Sequence, residues 1–160
     1  MYLGDIDGDG WQELGKQVKA KTLSAQLGLV YPVYHYVIFG VRSLSGPATA
    51  RLGSRVDFAL HVPALAGRRM RLLASTEFRP LGGLEAGGVR LYLGPSATLV
   101  ATRRDPRLTV LLDAHGQGSL TGYLPQRPVL LGRSLYSIAV GTTAQGRVVK
   151  SSLLETEVVP

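Results

Sequence analysis

The sequence predicts an all-β chain with a strand-rich N-terminal segment over residues 1–43 and an antiparallel β-sandwich of about seven strands over residues 44–160. Three observations carry this reading. The 160 residues include 20 glycines and 9 prolines, a density of turn-formers that favours many short strands over long helices. Apolar and polar residues alternate in several runs, as half-buried strands require. No apolar repeat with the helical period persists for as long as about ten residues.

The first element is acidic. Residues 4–14 read Gly-Asp-Ile-Asp-Gly-Asp-Gly-Trp-Gln-Glu-Leu. Asp5, Asp7 and Asp9 stand at alternate positions, Gly10 is sixth counting from Asp5, and Glu13 is ninth. Four carboxylates so close together, with no Lys or Arg among them, repel one another, and a hard divalent cation is the natural counter-charge. Ca²⁺ takes roughly 6–8 oxygens from carboxylates, a backbone carbonyl and water. Asp5, Asp7, Asp9 and Glu13 would supply the carboxylates, and Trp11, in seventh place, a backbone carbonyl. Gly10 permits the sharp turn. A solvated acidic turn without metal is the other reading of the same residues.

An EF-hand loop needs a bidentate Glu at its twelfth place, where this chain has Lys16. With an acid at the ninth place, the stretch resembles the Ca²⁺ loop of FG-GAP (VCBS-type) repeats, which form the β-propeller blades of integrin alpha chains and of many bacterial secreted proteins. Gly15 keeps the family's glycine, while Lys16 and Gln17 replace its Ala-Pro. Val33, Tyr34, Tyr36 and Val37 resemble the late strand of such a blade, and Phe39-Gly40 resembles its Phe-Gly. The resemblance implies a partial blade over residues 1–43, with Ca²⁺ held by Asp5, Asp7, Asp9, Trp11 and Glu13. A propeller buries its faces only with several blades, so it also implies a longer parent that supplies the missing ones.

The remaining elements follow in order. Residues 16–26 are predicted as a polar connection, holding three of the four lysines. Residues 31–41, rich in Val, Ile, Tyr and Phe, are predicted as a strand, with Pro32 near its start, where a missing donor matters least. Residues 43–52 read as a linker. Val56, Phe58, Leu60 and Val62 alternate with Arg55, Asp57, Ala59 and His61, a half-buried strand ended by Pro63. Further strands are predicted over 70–75, 89–93, 108–112, 120–124 and 135–140, with a closing run over 148–158. Gly82-Gly83 and Gly87-Gly88 bracket a loop. Turns over 113–118 and 142–146 make 110–124 and 138–153 read as two hairpins. In general texture, residues 45–160 are similar to the C-terminal β-domain of bacterial (planctomycete-like) secreted FG-GAP proteins.

Charge is unevenly spread. The chain carries 18 Lys and Arg against 11 acids, a net +7, but residues 1–15 hold four of the acids and no Lys or Arg, leaving +11 on the rest. The densest basic groups, Arg68, Arg69, Arg71 and Arg103, Arg104, Arg107, are not interleaved with aromatics as a single-strand stacking platform would be. Their expected role is solubility. With no cysteine, the chain has no disulfide, thiolate metal site or Cys nucleophile. No apolar run approaches the ~18 residues of a membrane span, and no leader sequence is expected within it.

Catalytic chemistry is not expected either. His35, His61 and His115 are scattered, without the spacing of a metal pair. Neither a nucleophile elbow nor a phosphate-binding loop is present, and Gly116, Gly118 and Gly122 lack dinucleotide-loop spacing. Outside the first loop, the only carboxylate pairs are Glu77 with Glu85 and Glu155 with Glu157. The sequence therefore predicts a non-enzymatic, Ca²⁺-binding structural or adhesive fragment of a secreted or cell-surface protein, where Ca²⁺ is plentiful. Its partners would be the calcium ion and an extracellular protein or glycan. The alternative is a carbohydrate-binding or surface-anchoring sandwich, with Tyr34 and Tyr36 as a stacking platform. Binding of anionic polymers through the arginines ranks below both.

Overall fold

The computed structural model describes the backbone of residues 2–4, 13–23 and 30–39, and describes residues 43–160 in full. The chain is mostly β and divides into two compact units. The first holds β1 (Tyr2–Gly4), β2 (Glu13–Leu23) and β3 (Val30–Phe39), which form an antiparallel sheet in that order. β2 and β3 pair without interruption from Leu14↔Phe39 to Leu23↔Val30. The polar connection expected over residues 16–26 is therefore strand through Leu23. Lys, Gln and Ala are weak strand formers, but continuous cross-strand pairing with a Tyr- and Val-rich partner outweighs local propensity.

The second unit contains β4 (Leu44–Ser45), β5 (Thr49–Arg51), β6 (Arg55–His61), β7 (Arg69–Ser75), β8 (Glu85–Ala86), β9 (Val89–Arg90), helix α1 (Ala97–Arg104), β10 (Thr109–Leu111), β11 (Gln117–Tyr123), β12 (Ser134–Thr142), β13 (Val148–Lys150) and β14 (Leu154–Val159). Of its two main sheets, the larger has the order β10-β7-β12-β14-β5, with β13 also on β12, and the smaller has the order β11-β6-β4; β8 and β9 form a separate two-stranded ribbon. Eleven strands stand where about seven were expected, and six of them are only two or three residues long. Such short edge pieces are too brief for an alternating pattern to register.

Two other expectations are corrected. Residues 110–124 do not form a hairpin: β10 pairs with β7 and β11 pairs with β6. The turn between them crosses from one sheet to the other. Residues 138–153 do fold back, β12 onto β13, but the closing run is broken at Ser151–Leu153 before β14 begins. The break is fixed by polar groups: Ala139 N–H donates to Ser151 Oγ at 2.8 Å, and Ser152 N–H donates to Ser43 Oγ at 2.7 Å.

The two sheets share one core. Val56, Phe58 and Leu60 of β6 and Leu120 of β11 pack with Met70 and Leu72 of β7 and Leu135 of β12. The larger sheet is covered on its other face too, where Leu73 and Ile138 meet Leu91, Leu93 and Leu99. This explains the unbroken apolar stretch Leu72-Leu73-Ala74, since a strand buried on both faces has no polar side.

Two of the crossovers between the sheets, from β6 to β7 and from β10 to β11, meet at one end of the β6–β11 pair. Val62 N–H donates to Gly116 O at 2.8 Å, Gly67 N–H to Asp113 O at 2.9 Å, and Leu112 N–H to Arg68 O at 2.9 Å. At the other end, α1 lies against β7. The Thr102 hydroxyl accepts from Ala74 N–H at 3.1 Å, and its one proton lies between the carbonyl oxygens of Leu99 at 3.2 Å and Ala74 at 3.3 Å. It thereby satisfies an edge that the short β10 does not reach. The helix starts at Ser96, whose Oγ accepts from Leu99 N–H, as an N-cap should.

Candidate functional site

Asp5, Asp7, Asp9 and Trp11 of the expected Ca²⁺ site lie outside the described residues. Glu13 is described as the first residue of β2, and its Cα partner across the antiparallel pair is Gly4, the last residue of β1. Residues 5–12 thus join two strand ends that pair directly, and partners in an antiparallel pair stand about 4.5–5.5 Å apart between Cα atoms. The fifth expected donor sits at the foot of the connection that carries the other four. Carboxylates and a carbonyl are hard oxygen donors, the set that suits Ca²⁺ and Mg²⁺ over softer metals. Elsewhere among the described residues, no group of three or more His, Asp or Glu side chains is placed to hold a metal.

The three described aspartates of the second unit are committed to structure. Asp57 accepts from the Thr121 hydroxyl at 2.6 Å and from Arg55 Nε at 2.8 Å, which together hold its carboxyl below the usual range. Asp105 is gripped by the Arg107 side chain at 2.8 and 3.0 Å and by its backbone N–H at 3.0 Å, with the same effect. Asp113 accepts from the N–H groups of Gln117 and His115, both at 2.8 Å, and is likewise lowered. Glu155 and Glu157 occupy exposed alternate positions of β14. His61 ends β6 opposite Gln117, and His115 lies in the crossover turn. His35 stands on β3 opposite Val18, and Tyr34 and Tyr36 stand on the same strand opposite Lys19 and Gln17.

The structure brings the two basic groups together. Arg71 Nη1 donates to the Arg103 carbonyl at 2.9 Å, and Arg71 Nε donates to Thr109 Oγ1 at 3.2 Å. Arg71 therefore borders the C-terminal end of α1, and it lines one shallow surface with Arg68 and Arg69.

The second unit also has a groove that the sequence did not reveal. It opens at the end of the β6–β11 pair away from the β6–β7 and β10–β11 crossovers, and has a volume of about 460 Å³. Its floor is the shared core, including Phe58, Leu72, Ala74 and Leu135. One wall is α1, which turns Ala97, Thr98, Ala101 and Thr102 towards it. The other is the Pro-rich stretch after β11, with Leu124, Val129 and Leu130. The groove exists because the helix wall is built from small side chains. The repeat of Ala-Thr at 97–98 and 101–102 was its only trace in the sequence, and it has meaning only once the helix is known.

None of the family models, curated proteins or solved structures compared with the chain matches it. Among the described residues, no helix is long and apolar enough to cross a membrane.

Proposed function

We propose that the chain is a non-enzymatic, Ca²⁺-binding structural or adhesive piece of a secreted or cell-surface protein. In this reading residues 1–43 are an FG-GAP-type partial blade, and residues 44–160 are a β-sandwich. The observation that supports it is the Gly4↔Glu13 pairing, which sets the residues that flank the acidic stretch side by side. Asp5, Asp7, Asp9 and Glu13 would hold the ion through carboxylate oxygens and Trp11 through its carbonyl. The ion would neutralise their mutual repulsion and fasten β1 to β2. A core shared by two sheets supports the sandwich.

Calorimetric titration with Ca²⁺, with Asp7→Ala and Asp9→Ala alongside, tests this reading. One site, lost in either variant, is expected; no heat in the parent chain contradicts it. The joining of the two arginine groups through Arg71 and Arg103 favours a second reading, an anionic-polymer surface. Binding of heparin or single-stranded DNA with a steep salt dependence would support that one.

A further inference from the structure

The groove beside α1 combines three properties. It is lined mainly by carbon, and its floor reaches Phe58 and Leu72, which are 5% and 2% exposed. Its volume of about 460 Å³ falls within the roughly 300–1,000 Å³ of small-molecule sites. Its rim carries Arg107, Arg127 and Arg133 against a single carboxylate, Asp105. Asp105 is satisfied by Arg107 alone. Among the described residues, the side chains of Arg127 and Arg133 form no ion pair. An apolar slot with uncompensated guanidinium groups at its mouth complements a molecule with an apolar tail and an anionic head. The depth of the slot, which penetrates between two sheets, suits a flexible tail better than a peptide laid across a surface. Guanidinium pairs well with a carboxylate, offering two parallel donors.

We infer that this groove is a binding site for an anionic amphiphile of the fatty-acid type. The acyl chain lies between α1 and β6–β11 over Phe58, Leu72 and Ala74, and the carboxylate meets Arg127 and Arg133. The site is independent of the calcium loop and goes beyond the function proposed above.

The test uses the whole chain and three dodecyl probes below their micellar concentrations: dodecanoate, the neutral dodecyl maltoside and the cationic dodecyltrimethylammonium. Binding is read from amide and methyl NMR shifts, which also report folding. Dodecanoate is expected to bind tightest, with shifts at Ala74, Ala101 and Leu124. The double variant Arg127→Glu/Arg133→Glu should weaken it about tenfold, the effect of reversing two partly exposed charges, and leave the maltoside unchanged.

Two plugging variants should each abolish binding. Ala101→Trp fills the slot from an exposed helix position. Gly122→Val fills it from the floor, where an added Cβ would make ordinary contact with Phe58 at 3.4 Å. The inference is overturned by equal affinity for all three head groups, by dodecanoate binding that survives both plugs, or by no dodecanoate binding. It also falls if dodecanoate fails while an acidic peptide binds, or while the plugs dissolve a concentration-dependent dimer. In those cases the groove takes a protein segment or a second copy.

Discussion

Replacing Gly116 with Ala should be among the most damaging single-methyl changes in the second unit. Gly116 has φ +74°, and a Cβ added there would lie 2.5 Å from Val62 O, 2.6 Å from Pro63 Cα and 2.7 Å from Pro63 N. All three are backbone atoms of the neighbouring crossover, so no side chain can swing away. An ordinary carbon–oxygen contact is about 3.3–3.6 Å, so the two crossovers must separate by roughly an ångström. That stretches the Val62 N–H···O=C Gly116 bond, 2.8 Å in the native turn. The left-handed backbone costs an L-residue about 1–2 kcal/mol, and the strained hydrogen bond about 1 kcal/mol more. With the residual overlap, the loss should be about 3–4 kcal/mol. Gly146 is the control: its φ is +80°, but nothing lies within 4 Å of an added Cβ, so Gly146→Ala should cost only the conformational 1–2 kcal/mol. Chemical denaturation of the two variants measures the difference, expected at about 2 kcal/mol. Equal losses would refute the argument that the crossovers are wedged together at Gly116.

Two further outcomes follow from the same unit. The lowered carboxyl of Asp113 contributes stability that is complete above the ordinary carboxylate value of about 3.9. It disappears as the pH falls through the folded value. Asp113→Asn keeps an oxygen acceptor but no charge, so its melting temperature should depend less on pH below about 4 than the parent's; identical acid limbs would contradict this. Ser96→Ala removes the helix cap and should cost about 1 kcal/mol. Amide exchange should speed up in α1 but not in β12, and unchanged α1 protection would show that the cap contributes nothing.

Much of the strand pattern was legible in the sequence. The alternation from Arg55 to His61 became β6 with Val56, Phe58 and Leu60 buried, because period two is a direct imprint of one covered face. What the sequence hid has physical causes. β2 was hidden by its lysines, although Val18, Ala20 and Thr22 alternate with Gln17, Lys19 and Lys21 as a strand should. The 110–124 crossover was hidden because a Gly-rich turn reads alike whether its arms pair with each other or with strands of two sheets. α1 is only eight residues long, shorter than the window in which a helical period is recognisable. Of the candidate site, residue types and spacing were legible from Asp5 to Glu13, and the structure adds the Gly4↔Glu13 pairing. The groove depends on which strands part company, which no local pattern records.

The most direct test of the central claim uses the single tryptophan of the chain. Trp11 is placed in the proposed Ca²⁺ loop, so Tb³⁺ bound there should emit when Trp11 is excited. The account predicts sensitised Tb³⁺ emission that Ca²⁺ displaces and that Asp7→Ala abolishes. A folded chain that gives no sensitised emission, or emission that Asp7→Ala and excess Ca²⁺ leave untouched, would contradict it.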